Sequence, residues 1–252
     1  MINRLMRKED IRGIWQELLC FLLTFFMASA AHADKGIGEI ERALEKIVPM
    51  LKPSAIEASP IEGVYLVTTG QNAFYVTKKE NFLVMGDIYD LDGQVSLLSE
   101  RVKSIRLEAI DSIPQGQRVT FPAENPTKVI TVFTDVDCEF CKHFHEKDRP
   151  LLNSKGVSVD YLFYPGAGVP SESYRKLVAI WCSADRRAAL TKVKKGQEIA
   201  LKVKECANPV AAHYSLGQDL GIRGTPWIVL DDGDLIPHYA TADRLLEEIF
   251  LH

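Results

Sequence analysis

Val129-Ile130-Thr131-Val132-Phe133 is an almost unbroken apolar run, and the pair Cys138-Glu139-Phe140-Cys141 follows it after a short polar turn. No other stretch constrains the chain as much. A run of this kind reads as a strand buried on both faces, which needs helices above and below a sheet. A helix begins at the cysteine pair, and a second strand run, Val157-Ser158-Val159-Asp160-Tyr161-Leu162-Phe163, comes after it. Strand, helix and strand predict a parallel pair with a right-handed crossover. The two cysteines then sit on the first turn of a helix that leaves the end of a buried strand.

That placement sets the chemistry open to them. With two residues between them, two cysteines on one helical turn can close a strained, reducible ring. The first sulfur lies at the helix N-terminus, where unpaired backbone N–H groups and the positive end of the dipole stabilise a thiolate. A thiolate is the species that attacks a disulfide, through a mixed disulfide. Cys138 is therefore the candidate nucleophile and Cys141 the candidate resolving thiol. Two other readings fit the same spacing. One is a structural disulfide. The other is a zinc or copper site, because His143 and His145 follow closely. Two residues apart on a helix, those histidines diverge by roughly 200°. Both cannot face the sulfurs, and each is expected at the surface or an edge.

Gly224-Thr225-Pro226 precedes a third strand run, Trp227-Ile228-Val229-Leu230. An X-Pro bond in this setting predicts a cis proline turn. Proline has no N–H, so the backbone of Thr225 is left to meet a guest peptide. An ordinary turn before a strand is the competing reading.

The N-terminus has another character. Arg4, Arg7, Lys8 and Arg12 precede an apolar run from Leu18 through Phe26 to Ala30, which ends at Ala31-His32-Ala33. This is the layout of a secretory signal peptide, residues 1–33, cleaved after Ala33. The run is shorter than the roughly 20 residues that a membrane span needs. Glu9, Asp10 and Glu17 in the lead make Met6 a possible true start, and a retained anchor is the other option. Cys20 lies inside the apolar run and leaves with it. Cys138, Cys141, Cys182 and Cys206 remain, an even number that suits disulfides in an exported chain. Spacing favours 138 with 141 and 182 with 206.

Ile40, Leu44, Ile47, Val48 and Leu51 recur at helical spacing, and Pro53 stops that helix. Val64–Val67, Ala73–Thr77 and Asn81–Met85 read as strands of an antiparallel meander joined by turn residues. This region has a thin core that needs a partner surface. An amphipathic connecting helix is predicted over Leu97–Ile113. Leu98, Val102, Ile105, Ala109 and Ile113 form its apolar stripe, with Arg101, Lys103, Arg106 and Glu108 on the other faces. A helical stretch over 171–220 and a last helix over Ala242–Phe250 complete the pattern. The formal net charge is −4, and no block of one sign suggests nucleic-acid binding.

Val132-Phe133-Thr134-Asp135, then Cys138-Glu139-Phe140-Cys141, then His145-Glu146 resemble the active-site stretch of the bacterial DsbC/DsbG disulfide isomerases, members of the thioredoxin superfamily. Ala179-Ile180-Trp181-Cys182 is similar to that family's second cysteine region. Ala212-His213-Tyr214-Ser215-Leu216-Gly217 and Gly221-Ile222-Arg223-Gly224-Thr225-Pro226 are similar to the region around its cis proline. Tyr89-Asp90 falls in the matching part of its N-terminal domain. The resemblance implies an α+β, cystatin-like dimerisation domain over 34–96 and a linker helix over 97–118. An α/β thioredoxin-like catalytic domain with a helical insertion follows over 119–252. It implies a periplasmic homodimer with an open cleft for misfolded, disulfide-containing exported proteins. A membrane reductase of the DsbD type would keep Cys138 and Cys141 reduced. It implies no cofactor beyond that pair and no metal. Substrate backbone would lie against Thr225 and Pro226. Ile180 and Trp181 give Cys182 apolar surroundings in which thiols are inert, so Cys182 with Cys206 is read as a structural disulfide, with a second redox pair as the alternative.

The chain departs from the family between the cysteines, where glycine and tyrosine are usual. Here stand Glu139 and Phe140, with Asp137 just before Cys138. Two flanking carboxylates are expected to disfavour the thiolate and to make the pair less oxidising. Phe140 keeps an aromatic edge beside the site. The remaining alternatives are a dithiol oxidase of the DsbA kind, a chaperone that uses mainly its cleft, and a metal-binding module.

Overall fold

The structure, a computed structural model, describes residues 37–46, 52–70, 72–79, 82–198 and 206–250. The signal segment, Cys20 and the expected end of the first helix beyond residue 46 lie outside the described residues. The chain divides into two compact units between Ile88 and Tyr89.

The first unit is one helix and one small sheet. Helix α1 covers residues 37–46. Strands β1 (Ala55–Ala58), β2 (Val64–Thr69), β3 (Asn72–Thr77) and β4 (Leu83–Val84) pair antiparallel in that order. Thr69 pairs with Asn72, and Gly70 takes φ +58° between them. That left-handed backbone favours glycine. Ile40 and Leu44, one helical turn apart, pack on Val67, Phe74 and Val76. This core is small. The edge strand β4 and its neighbours leave Phe82, Leu83, Val84 and Met85 exposed.

The second unit begins with the hairpin β5 (Tyr89–Asp90) and β6 (Val95–Ser96), followed by helix α2 (Leu97–Asp111). Ser96 caps α2 by accepting from Ser99 N at 2.9 Å. Of the expected stripe, Ala109 and Ile113 pack against the core beside Ile110. Arg106 and Ile110 are the buried residues of α2, while Leu98, Val102 and Ile105 stay half-exposed. Polar contacts also dock this helix on a distant turn. Lys103 Nζ reaches the Asp234 carboxylate at 2.8 Å and Asp232 at 3.5 Å, and Arg106 donates to the Gly233 carbonyl. A Cβ on Gly233, whose φ is +92°, would stand 2.7 Å from the Lys103 carbonyl. Helix and turn thus approach backbone to backbone.

The main sheet joins β7 (Val119–Phe121), β8 (Lys128–Thr134), β9 (Val157–Phe163), β10 (Trp227–Val229) and β11 (Leu235–Ile236). Its order is β11-β10-β8-β9-β7. β8 and β9 are parallel, as the strand-helix-strand pattern predicts, and the other pairs are antiparallel. The crossover contains α3 (Glu139–His143), a π-helical turn (Phe144–Asp148) and α4 (Arg149–Ser154). Alternate residues face opposite layers. Ile130, Val132, Val159, Tyr161, Phe163 and Ile228 enter one core with Phe144, Leu152, Leu177, Leu190 and Leu245 from the helices. Phe133, Leu162 and Val229 enter the other, with Ile110 of α2. Fully burying each such side chain stabilises the fold by roughly 1.5–3 kcal/mol.

The expected helical stretch divides into α5 (Glu172–Trp181), α6 (Arg186–Lys194) and α7 (Val210–Asp219). Ser171 and Asp185 cap the first two through Tyr174 N and Ala188 N. Cys182 and Cys206 are joined by a disulfide with Cα atoms 5.8 Å apart. Helix α8 (Ala242–Phe250) closes the unit, with Leu245 and Ile249 in the core.

Candidate active site

Strand β8 delivers the site. It ends at Thr134, and Asp135 then fixes the loop. One Asp135 carboxylate oxygen accepts from Gly166 N at 2.6 Å. The other accepts from Asp137 N at 3.2 Å and from the Ser173 hydroxyl. The chain is thereby held for Cys138 to become the N-cap of α3, with φ −79° and ψ 122°.

The two thiols are free and differ sharply in setting. Cys138 is half-buried, whereas Cys141 is 1 % exposed. The Cys141 N–H points at Cys138 Sγ from 3.4 Å. As a thiol, Cys138 donates to the Thr225 carbonyl at 3.1 Å. As a thiolate it loses that bond and is stabilised first by the Cys141 thiol. The Thr225 side chain, the Cys141 N–H and the charge on Lys194 add to this, against the cost of burial. The balance pushes the Cys138 thiol down to about 5. Burial, and then the bond to Cys138, push Cys141 far up. One sulfur is set to be a thiolate and the other to hold its proton.

Neither acidic neighbour is among the main influences on Cys138. Glu139 is 85 % exposed at its side chain and pairs with Lys142 at 3.0 Å. Asp137 pairs with Lys176 at 2.9 Å. Each carboxylate has a cation beside it, and solvent screens what remains. Cys138 is held low in spite of them.

Thr225–Pro226 is a cis peptide facing Cys138. Beside it opens a cavity of about 390 Å³ lined by Phe140, Gly224, Thr225, Pro226, Trp227, Pro237, His238 and Tyr239. Phe140 is 62 % exposed. It stacks on Tyr239 with ring centroids 5.7 Å apart, and His143 meets the same ring edge-on at 5.6 Å. The Tyr239 hydroxyl donates to Asp148 at 2.9 Å. Burial, and then that carboxylate, push its pKa up to about 12. The result is an apolar shelf next to a reactive sulfur.

His145 departs from expectation. It is buried rather than at the surface, because the π-helical turn after α3 breaks the 100° step and turns the ring inward. Its nitrogens meet the Tyr161 hydroxyl at 3.1 Å and the Thr191 hydroxyl at 3.0 Å. Burial first, then the cations Arg149, Lys194 and Lys195, push it down to about 3. With both ring nitrogens engaged by hydroxyls, it is a buried structural ring. Among the described residues no group of three or more His, Cys, Asp or Glu is placed to hold a metal ion.

Lys194 was not legible in the sequence at all. It ends α6 and is buried against the loop that leads to the cysteines. Its Nζ donates to Thr134 Oγ1 at 2.8 Å and to the Asp135 carbonyl at 2.6 Å.

Comparison with known proteins agrees with this geometry. The family model described as a thioredoxin-like domain matches residues 115–250. The model described as the disulfide bond isomerase protein N-terminal domain matches residues 27–99. The thiol:disulfide interchange protein DsbC of Dickeya dadantii is 32 % identical over 93 % of this chain and 94 % of its own length. That of Escherichia coli K12 is 30 % identical over 92 % and 94 %. A disulfide interchange protein from Neisseria gonorrhoeae, known from its crystal structure, is 30 % identical with a TM-score of 0.46. It covers 53 % of this chain and 93 % of that one. A DsbC-type N-terminal domain followed by a thioredoxin-like domain carrying the cysteine pair places the chain in the DsbC family of thiol:disulfide interchange proteins, within the thioredoxin superfamily.

Proposed function

We propose that the protein is a thiol-disulfide oxidoreductase that isomerises or reduces incorrect disulfides in exported proteins. The Cys138 thiolate attacks a substrate disulfide and forms a mixed disulfide. The substrate then reshuffles through its own released thiol, or Cys141 attacks Cys138 Sγ and releases a reduced substrate. Thr225 and Pro226 take the substrate backbone, and the Phe140–Tyr239 shelf takes an apolar side chain. The observation that carries this reading is the division of labour between the thiols. One is half-exposed and held at about 5, and its buried partner is pushed up and donates to it. No cofactor takes part, since the sulfur pair carries both electrons. Cys182–Cys206 serves as a structural staple in the helical insertion.

The second part of the proposal is a homodimer in the periplasm. The segments are a signal peptide over 1–33, a dimerisation domain over 34–96, a linker over 97–118 and a catalytic domain over 119–252. The basic lead and apolar run before Ala33 support export. The match to the disulfide bond isomerase N-terminal domain supports dimerisation. So does β4, a two-residue edge strand with Leu83 and Val84 exposed and Phe82 and Met85 beside them. An unguarded apolar edge is a template for pairing with another chain. A DsbD-type membrane reductase is the partner that keeps the pair reduced.

The test is refolding of a scrambled multi-disulfide protein by wild type and Cys138→Ala. Recovery of native substrate only with wild type supports the reading; equal recovery makes the protein a holdase instead. Sedimentation of Val84→Glu addresses the dimer, which is expected to weaken.

A further inference from the structure

Lys194 is 1 % exposed, and its ammonium has an unusual set of neighbours. Its two hydrogen-bond acceptors are Thr134 Oγ1 and the Asp135 carbonyl. An ammonium has three N–H donors, a neutral amine two. The Asp135 carboxylate is engaged by Gly166 N, Asp137 N and the Ser173 hydroxyl, so among the described residues it forms no ion pair with Lys194. Cys141, were it ionised, then Cys138 and Asp135 favour the ammonium, and Lys142 acts against it; since Cys141 holds its proton, Cys138 is the sulfur whose charge acts. His145, also close, is neutral. The Asp135 N–H meets Cys141, while the Asp135 carbonyl meets Lys194. Sulfur and nitrogen therefore flank one residue of the loop.

The energetics depend on redox state. A buried ammonium without a counter-charge is costly, and burial alone lowers lysine pKa values by up to about 3–5 units. In the reduced enzyme the Cys138 thiolate supplies the counter-charge. In the disulfide form neither sulfur is charged, and the ammonium keeps only the Asp135 carboxylate, whose oxygens are already engaged by Gly166 N, Asp137 N and the Ser173 hydroxyl.

Resting on the reading of Cys138–Cys141 as a redox pair, we propose that Lys194 is a positioning residue whose protonation follows the redox state, ammonium opposite the thiolate and neutral amine opposite the disulfide. The reduced centre holds Cys138–S⁻, Cys141–SH and Lys194–NH₃⁺. The oxidised centre holds the Cys138–Cys141 disulfide and Lys194–NH₂. Oxidation forms one S–S bond and releases two electrons and two protons, one proton from Cys141 and one from Lys194. A substrate disulfide accepts all four and leaves as two thiols. The two sulfurs and the Lys194 nitrogen together carry no net charge in either state, which avoids adding an isolated charge to the buried site.

Equilibration with glutathione at several pH values tests this. Glutathione disulfide takes up two electrons and two protons below its thiol pKa, which is near the ordinary thiol value of about 8.5. If Lys194 releases a proton, the exchange constant is flat with pH above the Cys138 transition, from about pH 6 to about 8. If Lys194 keeps its proton, the constant for protein oxidation falls tenfold per unit rise in pH, and the proposal is overturned. In Lys194→Met, similar in length but uncharged, the tenfold slope is expected above that variant's own thiolate transition, read by ultraviolet absorbance. That transition is itself expected to rise, whereas a merely structural role would leave it in place. A flat constant above the variant's transition overturns the assignment to Lys194. If the variant does not fold, nitrogen NMR of the lysine Nζ in the oxidised wild type decides. A neutral amine near neutral pH supports the proposal and an ammonium defeats it. Failure to exchange with glutathione at all would instead count against the redox reading of the pair.

Discussion

Replacing Cys141 by alanine removes the largest influence that holds Cys138 as a thiolate. A hydrogen bond to a charged group contributes about 1.5–3 kcal/mol. One pKa unit corresponds to 1.36 kcal/mol. The Cys138 transition, about 5 in the wild type, is therefore expected to rise by about 1–2 units in Cys141→Ala. Cys141→Ser keeps an O–H donor at the same position and should move it less. The rate of alkylation by iodoacetamide against pH reads the transition directly, and needs no resolving thiol. Near pH 5 the wild type is about half thiolate, whereas Cys141→Ala is expected to retain about a tenth or less. A transition in Cys141→Ala at or below that of the wild type would refute the reasoning, because the thiolate would then owe its stability to other groups.

Three further outcomes follow from the same structure. The reduced protein should gain stability over Cys138→Ser as pH rises, measured by urea unfolding. The folded thiol titrates at about 5 and the unfolded one near about 8.5, so between these values the unfolded state binds more protons. The contribution is complete above the unfolded value and is lost as pH falls through the folded one. Glu139→Gln should shift the Cys138 transition by less than about half a unit, since Lys142 and solvent already screen that carboxylate. A drop of a full unit would restore the expectation that Glu139 opposes the thiolate. Losing the Cys182–Cys206 disulfide in Cys182→Ala should cost about 3 kcal/mol in chemical denaturation, given a sequence separation of 24 residues.

The parallel pair at the centre of the main sheet was legible because β8 and β9 are largely buried, whereas the antiparallel edge strand β7 was not. Val129–Phe133 is nearly all apolar, Val157–Phe163 is interrupted by Ser158 and Asp160, and their pairing direction followed from the helix between them. Thr225–Pro226 was legible because proline leaves few backbone options. Long-range polar contacts were not legible. The inward turn of His145 depends on a π-helical turn and on hydroxyls supplied by Tyr161 and Thr191, 16 and 46 residues away. The docking of α2 through Lys103 and Arg106 depends on a turn over 120 residues later. Those cations read as solvated because periodicity reports hydrophobicity alone. Glu139 misled for a related reason. A charge next to a cysteine in sequence acts on it only when no nearer cation answers that charge, and Lys142 lies one helical turn away.

The central claim is that Cys138 alone attacks and Cys141 resolves. Trapping tests it most directly. Cys141→Ala incubated with a scrambled disulfide protein should accumulate a mixed disulfide, located at Cys138 by peptide mass spectrometry and absent from Cys138→Ala. No trapped species, or an adduct that persists at Cys182 or Cys206 when Cys138 is removed, would contradict the account.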